Sequence, residues 1–165
     1  MSKLENRSID IGIIRDLQLN QMKFTDYQVV TADEDELMAI VPAHSDLALK
    51  SEISVTDLLN QNLISLNRGS GIFEKISELF EQAGFTPRIS FYSTHINTIM
   101  GIVNSEQHVT FLFKKSAQPF MTDHLVMRPI APRIFSKLQI VVSPSKNAAV
   151  SQLFVKYFNN FNFEP

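Results

Sequence analysis

The chain has 165 residues, a formal net charge of −2 and no cysteine. Hydrophobic residues make up 44% and charged residues 19%, the balance of a chain that builds a core. These totals exclude a disulfide scaffold, a cysteine zinc site and a thiol nucleophile, and they leave no basic footprint for wrapping nucleic acid.

At this length one domain or two small lobes is expected. The first residues, Met1 to Arg7, contain no apolar signal region. Apolar runs such as Leu37–Val41 fall far short of the roughly 20 residues that cross a bilayer. A soluble cytoplasmic protein is the expectation. In chain order, β-branched runs bounded by polar turns predict strands at Ile9–Ile14, Tyr27–Thr31, Leu37–Val41, Leu63–Leu66, Ile89–Tyr92, Val109–Phe113 and Leu138–Val142. Leu125–Pro129 is a weaker strand, crowded by Pro129 and Pro132. Between the second and third strands, Asp33-Glu34-Asp35-Glu36 reads as a solvated turn and not as a metal cradle, since no glycine marks a calcium-type bend.

Three helices follow from apolar spacing. Ile72, Phe73, Ile76, Leu79, Phe80 and Ala83 share one face, with Gly84 as the left-handed stop. Ile96, Ile99, Met100 and Val103 share another, after a cap at Ser93 or Thr94. Val150, Leu153, Phe154, Tyr157, Phe158 and Phe161 form the third and cleanest stripe, expected to face a core. Asp57-Leu58-Leu59 after Thr56 predicts a shorter helical piece. From Leu63 onward strand and helix alternate, which implies βαβ units and a largely parallel sheet.

Ligands of such sheets bind beyond the carboxyl ends of the strands. Asn67-Arg68-Gly69-Ser70-Gly71 lies at one such end. Its glycines let a ligand approach backbone amides at a helix start, where a carboxylate, phosphate or sulfate is favoured. The competing reading is a tight turn in which Ser70 only caps the helix. The loop lacks the lysine of a phosphate loop and the third glycine of a dinucleotide fingerprint, position 74 being Glu74. His95 stands at the corresponding place before the second helix, either as a site residue or as an ordinary first-turn polar residue. Arg15 follows the first strand, where it can grip an acid with two prongs or pair with Asp16 at the surface. His44, His95, His108 and His124 have no metal-ligand spacing. Most of the 13 phenylalanines fall on predicted core faces, so they do not read as a base-stacking platform.

Four segments in register then resemble a known family: IDIGIIRD (Ile9–Asp16), ELMAIVPAHSDLA (Glu36–Ala48), VTDLLNQNLISLNRGSG (Val55–Gly71) and LFEQAGFTPRI (Leu79–Ile89). Each motif is weak; the four together resemble the effector-binding domain of LysR-type transcriptional regulators. That resemblance implies two α/β lobes of the type 2 periplasmic-binding-protein kind, mostly parallel sheets with helices on both faces, joined by two crossing strands. Residues 1–41 and 142–165 would form an incomplete lobe I and 42–141 lobe II, with crossings near Ile40–Pro42 and Ile140–Ser143. It implies a small effector, a carboxylate or other anion, held in the cleft by Arg15, Asn67, Gly69, Ser70, Thr94, His95, Phe113 and Lys114. No cofactor, metal or catalytic activity is expected. The partners it implies are the effector, a homodimer mate, and DNA only through a winged helix-turn-helix that this chain does not contain. No membrane partner is implied.

The pattern departs from the family in three ways. The winged helix-turn-helix and linker helix are missing, as are the strand and helix that ordinarily open the effector domain. The usual Gly-x-Gly after the second helix is replaced by NSEQHVTFLF (Asn104–Phe113). Arg7 likewise stands where the family has a helix-ending glycine. An N-terminally truncated lobe I is therefore expected to be distorted, swapped or completed by a second molecule. A solute-binding protein of a transporter, or a small two-lobed dehydratase or lyase using His95, are the rival readings.

Overall fold

The computed structural model describes residues 2–6, 8–16, 27–105, 108–144 and 148–159. Arg7 and Phe161 lie outside the described residues. Element by element, the chain runs α1 (Ser2–Glu5), β1 (Ile11–Arg15), β2 (Gln28–Pro42), a 3-10 turn (Asp46–Leu49), β3 (Ile53–Ser54), α2 (Val55–Leu58), β4 (Asn62–Leu66) and α3 (Gly71–Gln82). It continues through β5 (Ile89–Ser93), α4 (Ile96–Ser105), β6 (His108–Phe113), α5 (Lys114–Ala117), a second 3-10 turn (Gln118–Phe120), β7 (Leu125–Ala131), β8 (Phe135–Val142) and α6 (Ala148–Asn159). Two compact units result, Met1–Glu34 with Ser136–Pro165 and Asp35–Phe135. The chain passes between them upstream of both expected crossings, because β2 and β8 extend beyond the apolar runs that first suggested them.

In unit 1, β1 and β8 pair antiparallel from Ile11 opposite Val142 to Arg15 opposite Leu138, and β8 also neighbours β2. Gly12 explains one letter of the Asp-Ile-Gly-Ile motif. A Cβ there would come within 2.7 Å of the Leu4 side chain, and Leu4 is buried. Tyr27 donates its hydroxyl to the Leu4 carbonyl at 3.0 Å, tying α1 down from another side. Asp16 has φ 52°, a left-handed conformation unusual for a non-glycine. It is held there because its carboxylate accepts from the Ser136 hydroxyl at 2.9 Å and the Lys137 amide at 2.8 Å.

α6 departs from expectation. Of the described residues of its apolar stripe, Val150, Leu153, Phe154 and Tyr157 are 67%, 52%, 39% and 67% exposed, and only Phe158 turns inward as expected. The residues turned inward are Ser151 and Val155, both buried, with Phe158 packed against Ile140, Val142 and Val155. Both faces of this helix carry apolar side chains, and the narrower one takes the sheet.

Unit 2 holds the larger core. β4 lies between β5 and β6, parallel to both. β6 continues into the carboxyl half of β2, antiparallel, from Leu37 opposite Phe113 to Ile40 opposite Thr110. On its other edge β2 takes β7, and β7 takes the short β3. α3 and α4 bury the faces their spacing dictates: Ile72, Ile76, Leu79 and Phe80 on one, Ile99, Met100 and Val103 on the other. Gly84 (φ 80°) closes α3 as expected.

The acidic run is the clearest correction. Asp33 to Glu36 form no turn; they lie inside β2, which is continuous for 15 residues. Each of the last three finds a specific partner. Glu34 faces Lys137 at 3.7 Å, Glu36 accepts from Arg133 at 2.9 Å, and Asp35 is buried against backbone amides of Glu36 and Lys115.

Candidate functional site

Parallel strands β6, β4 and β5 all point the same way, so their carboxyl ends line one edge of the unit 2 sheet. Three junctions leave from that edge: Asn67–Ser70 into α3, Thr94–His95 into α4, and Phe113–Lys114 into α5. Seven of the eight expected site residues therefore share a single sheet edge. Ser70 and His95 follow adjacent strands there.

The Ser70 loop is built as a helix cap. Ser70 is in extended conformation, and its Oγ accepts from the Phe73 amide at 3.2 Å. Gly69 (φ 84°) supplies the turn that brings the chain into the helix. Capping and ligand donation do not compete at Ser70: the hydroxyl oxygen accepts from the helix while its proton can still be donated outward. The amides are less bare than expected. Gly69 N–H donates to the Glu74 carboxylate at 3.1 Å, and Ser70 N–H donates to the Asn67 carbonyl at 3.0 Å. Among the described residues Gly71 and Ile72 keep their amides without a partner, at the positive end of a 12-residue helix. Beside the loop, the Arg68 guanidinium stands 5.6 Å from the Tyr92 ring centroid, and Tyr92 meets Phe73 at 6.0 Å. The loop is thus anchored from the β5 side.

At the second junction Ser93 accepts the His95 amide at 3.0 Å, and His95 gives its carbonyl to Ile99 as the first helical acceptor. Thr94 and His95 are exposed. At the third, Phe113 is only 6% exposed and belongs to the core, so it offers the edge its backbone, whereas Lys114 is exposed. Arg15, the eighth residue, belongs to unit 1, where its guanidinium donates to the Ser136 hydroxyl at 3.1 Å.

Spacing alone missed two contributors. Glu74 sits at a position scanned only for the glycine it lacks, and Asp35 sits in a run read as solvent-facing. A cavity of about 380 Å³ opens at the opposite, amino-terminal end of the same sheet, between His44, Asp46, Gln61 and His108. Among the described residues no group of three His, Asp or Glu side chains is arranged to hold a metal, and no helix is long and apolar enough to cross a membrane.

The model of the LysR substrate binding domain matches residues 1–161. The chain belongs to that family. Its fold is shared with the regulatory domain of Synechocystis PCC6803 CcmR in complex with 2-PG, with TM-score 0.77 at 17% identity, covering 96% of this chain and 76% of that one. It is shared too with the effector-binding domain of QuiR in complex with shikimate, with TM-score 0.70 at 18% identity, over 96% and 74% of the two chains. A further likeness is the regulatory domain of MetR from N. meningitidis, with TM-score 0.74 at 16% identity, over 96% and 73%. In sequence, the HTH-type transcriptional regulator YybE of Bacillus subtilis is 28% identical over 78 residues, 47% of this chain. That match spans only 27% of YybE's own length. The LysR substrate-binding domain is thus a mixed α/β fold of the periplasmic-binding-protein kind, as the four motifs implied.

Proposed function

We propose that this chain is the sensing part of a transcriptional regulator and binds a small anionic metabolite at the carboxyl edge of the unit 2 sheet. The observation that carries the reading is the convergence of three strand-to-helix junctions on that edge, two of them opening helices of 10 and 12 residues. Ser70 would donate its hydroxyl and Gly71 its amide to an anion, with Asn67, Thr94 and His95 as further polar contacts and Lys114 as the cation.

Binding would act by population shift, the effector favouring whichever arrangement it contacts best. DNA contact would come through a winged helix-turn-helix outside this chain, and the working form would be a homodimer. Two facts support the dimer: the apolar stripe of α6 stands exposed, and so does Ile13 on the edge strand β1. Sensing is favoured over catalysis because, among the described residues, the edge offers one imidazole, His95, and pairs no acid with it.

The test is a thermal-shift screen with 2-PG, shikimate, short dicarboxylates, phosphate and sulfate. A ligand that binds only the folded state must raise the apparent melting temperature. The shift is expected to shrink severely in Ser70→Ala. A ligand whose shift is indifferent to Ser70→Ala, Lys114→Ala and Thr94→Ala alike would overturn the assignment.

A further inference from the structure

Asp35 is not a ligand contact in the reading above, yet it is the most deeply buried carboxylate among the described residues. It is 6% exposed, and a buried carboxylate is costly unless its oxygens are bonded. Oδ1 accepts from the Glu36 amide at 2.9 Å. The Lys115 amide donates to both oxygens, at 3.3 Å to Oδ1 and 3.2 Å to Oδ2. Lys115 is the second residue of α5, one of the amides at a helix start that lack an intrahelical acceptor. The residue in the N-cap position is Phe113, whose side chain has no acceptor, and no side-chain cap forms there. Asp35, 80 residues away in sequence, supplies the missing one.

Its place in the chain gives this cap a consequence. Asp35 is the first residue of unit 2, where β2 arrives from unit 1. Two residues later the β2–β6 ladder opens with Leu37 opposite Phe113. One carboxylate therefore bonds the point of entry of the connecting strand to the segment that presents Phe113 and Lys114. A charge-assisted bond of this kind is stronger and more directional than a neutral one. Movement of that segment on binding an anion must be shared with β2 or must break the bond.

We infer that Asp35 is a positioning residue for the effector site: it fixes the Phe113–Lys115 segment for binding and passes the occupancy of that segment to β2 at the crossing. The inference rests on the effector reading for Lys114. It requires that the aspartate act through Lys115, without touching the ligand.

The experiment compares wild type with Asp35→Asn, which keeps the shape and one acceptor oxygen but replaces the other with a donor, and with Asp35→Ala, each first shown to fold by a cooperative melting transition. The probes are 2-PG, shikimate and phosphate, with amide hydrogen exchange followed over Asp35–Leu37 and Lys114–Ala117. Without any probe, exchange at Lys115 must quicken in Asp35→Asn; unchanged exchange there overturns the inference. With a probe that binds wild type, ligand is expected to slow exchange in both segments. In Asp35→Asn at saturating probe, the slowing should persist at Lys114–Ala117 but vanish at Asp35–Leu37, and affinity should drop about tenfold. Equal slowing of both segments in the variant, or unchanged affinity, overturns the inference. Failure of every probe on wild type strikes the effector reading instead, and the coupling to β2 with it, while the cap is still judged by exchange at Lys115.

Discussion

The two units differ in how much of their apolar surface they bury. Unit 2 closes on itself, with β2, β4 and β6 supplying Leu37, Ile40, Ile64 and Phe111 to a core that α3 and α4 cover. In unit 1 the described cluster is built from Ile140, Val142 and Val155, with Ile11, Val30, Ala32 and Phe158 partly buried against it. Four large apolar side chains of α6 meanwhile face outward. A domain that satisfies its own interior can carry a precise site on its rim, because the junctions are held by strands that cannot shift independently. A domain that leaves an apolar helix face open is suited to association.

That contrast predicts a hierarchy of substitution effects. Phe80→Ala in unit 2 should cost about 3–5 kcal/mol in denaturant unfolding, whereas Tyr157→Ala on the outward stripe should cost under about 0.5 kcal/mol in dilute solution. Comparable losses would erase the distinction. The outward stripe should instead govern association: on the proposed dimer, Leu153→Glu is expected to sediment as a smaller species than wild type at the same concentration. Ser70→Ala should cost about 1 kcal/mol for the lost cap, separately from its loss of ligand response.

Glu74→Ala sharpens the comparison within unit 2 itself. Removing this carboxylate releases the Gly69 amide and takes a negative charge from the rim, so phosphate or 2-PG should bind about three- to tenfold more tightly by calorimetry. A further effect concerns pH. Asp57 accepts from the Lys50 ammonium at 2.9 Å and from the Ser54 amide and hydroxyl, which hold its carboxyl at about 2. Its contribution is thus complete above the ordinary carboxylate value of about 4 and fades as pH falls toward the lowered one. Asp57→Asn should lose melting temperature at pH 6 and lose correspondingly less than wild type on acidification to pH 2.

What the sequence could and could not convey follows from how local each signal is. α3 and α4 were legible because their apolar residues occupy one face and their polar residues the other. The Ser70 junction was legible because glycines and a serine between a strand and a helix restrict what the backbone can do. The acidic stretch of β2 was illegible: Asp33 to Glu36 resemble a solvated turn until Arg133, Lys137 and the Lys115 amide are brought opposite them, and those partners lie 80 to 103 residues away. Periodicity found the α6 helix but misassigned most of its inward side: of the described stripe residues only Phe158 packs toward the sheet, beside Val155, which the stripe did not include. Capping of α5 by Asp35 left no local trace at all.

The effector assignment is tested most directly by amide chemical-shift mapping with 2-PG, shikimate and phosphate. The two ends of one sheet compete: the carboxyl edge with Ser70, Thr94 and Lys114, and the amino edge with the cavity between His44 and His108. A saturable response concentrated in Asn67–Gly71, Thr94–Ile96 and Phe113–Lys115 is the predicted result. A response confined to Pro42–Leu47, Gln61 and His108 would place the sensor at the other end and contradict it.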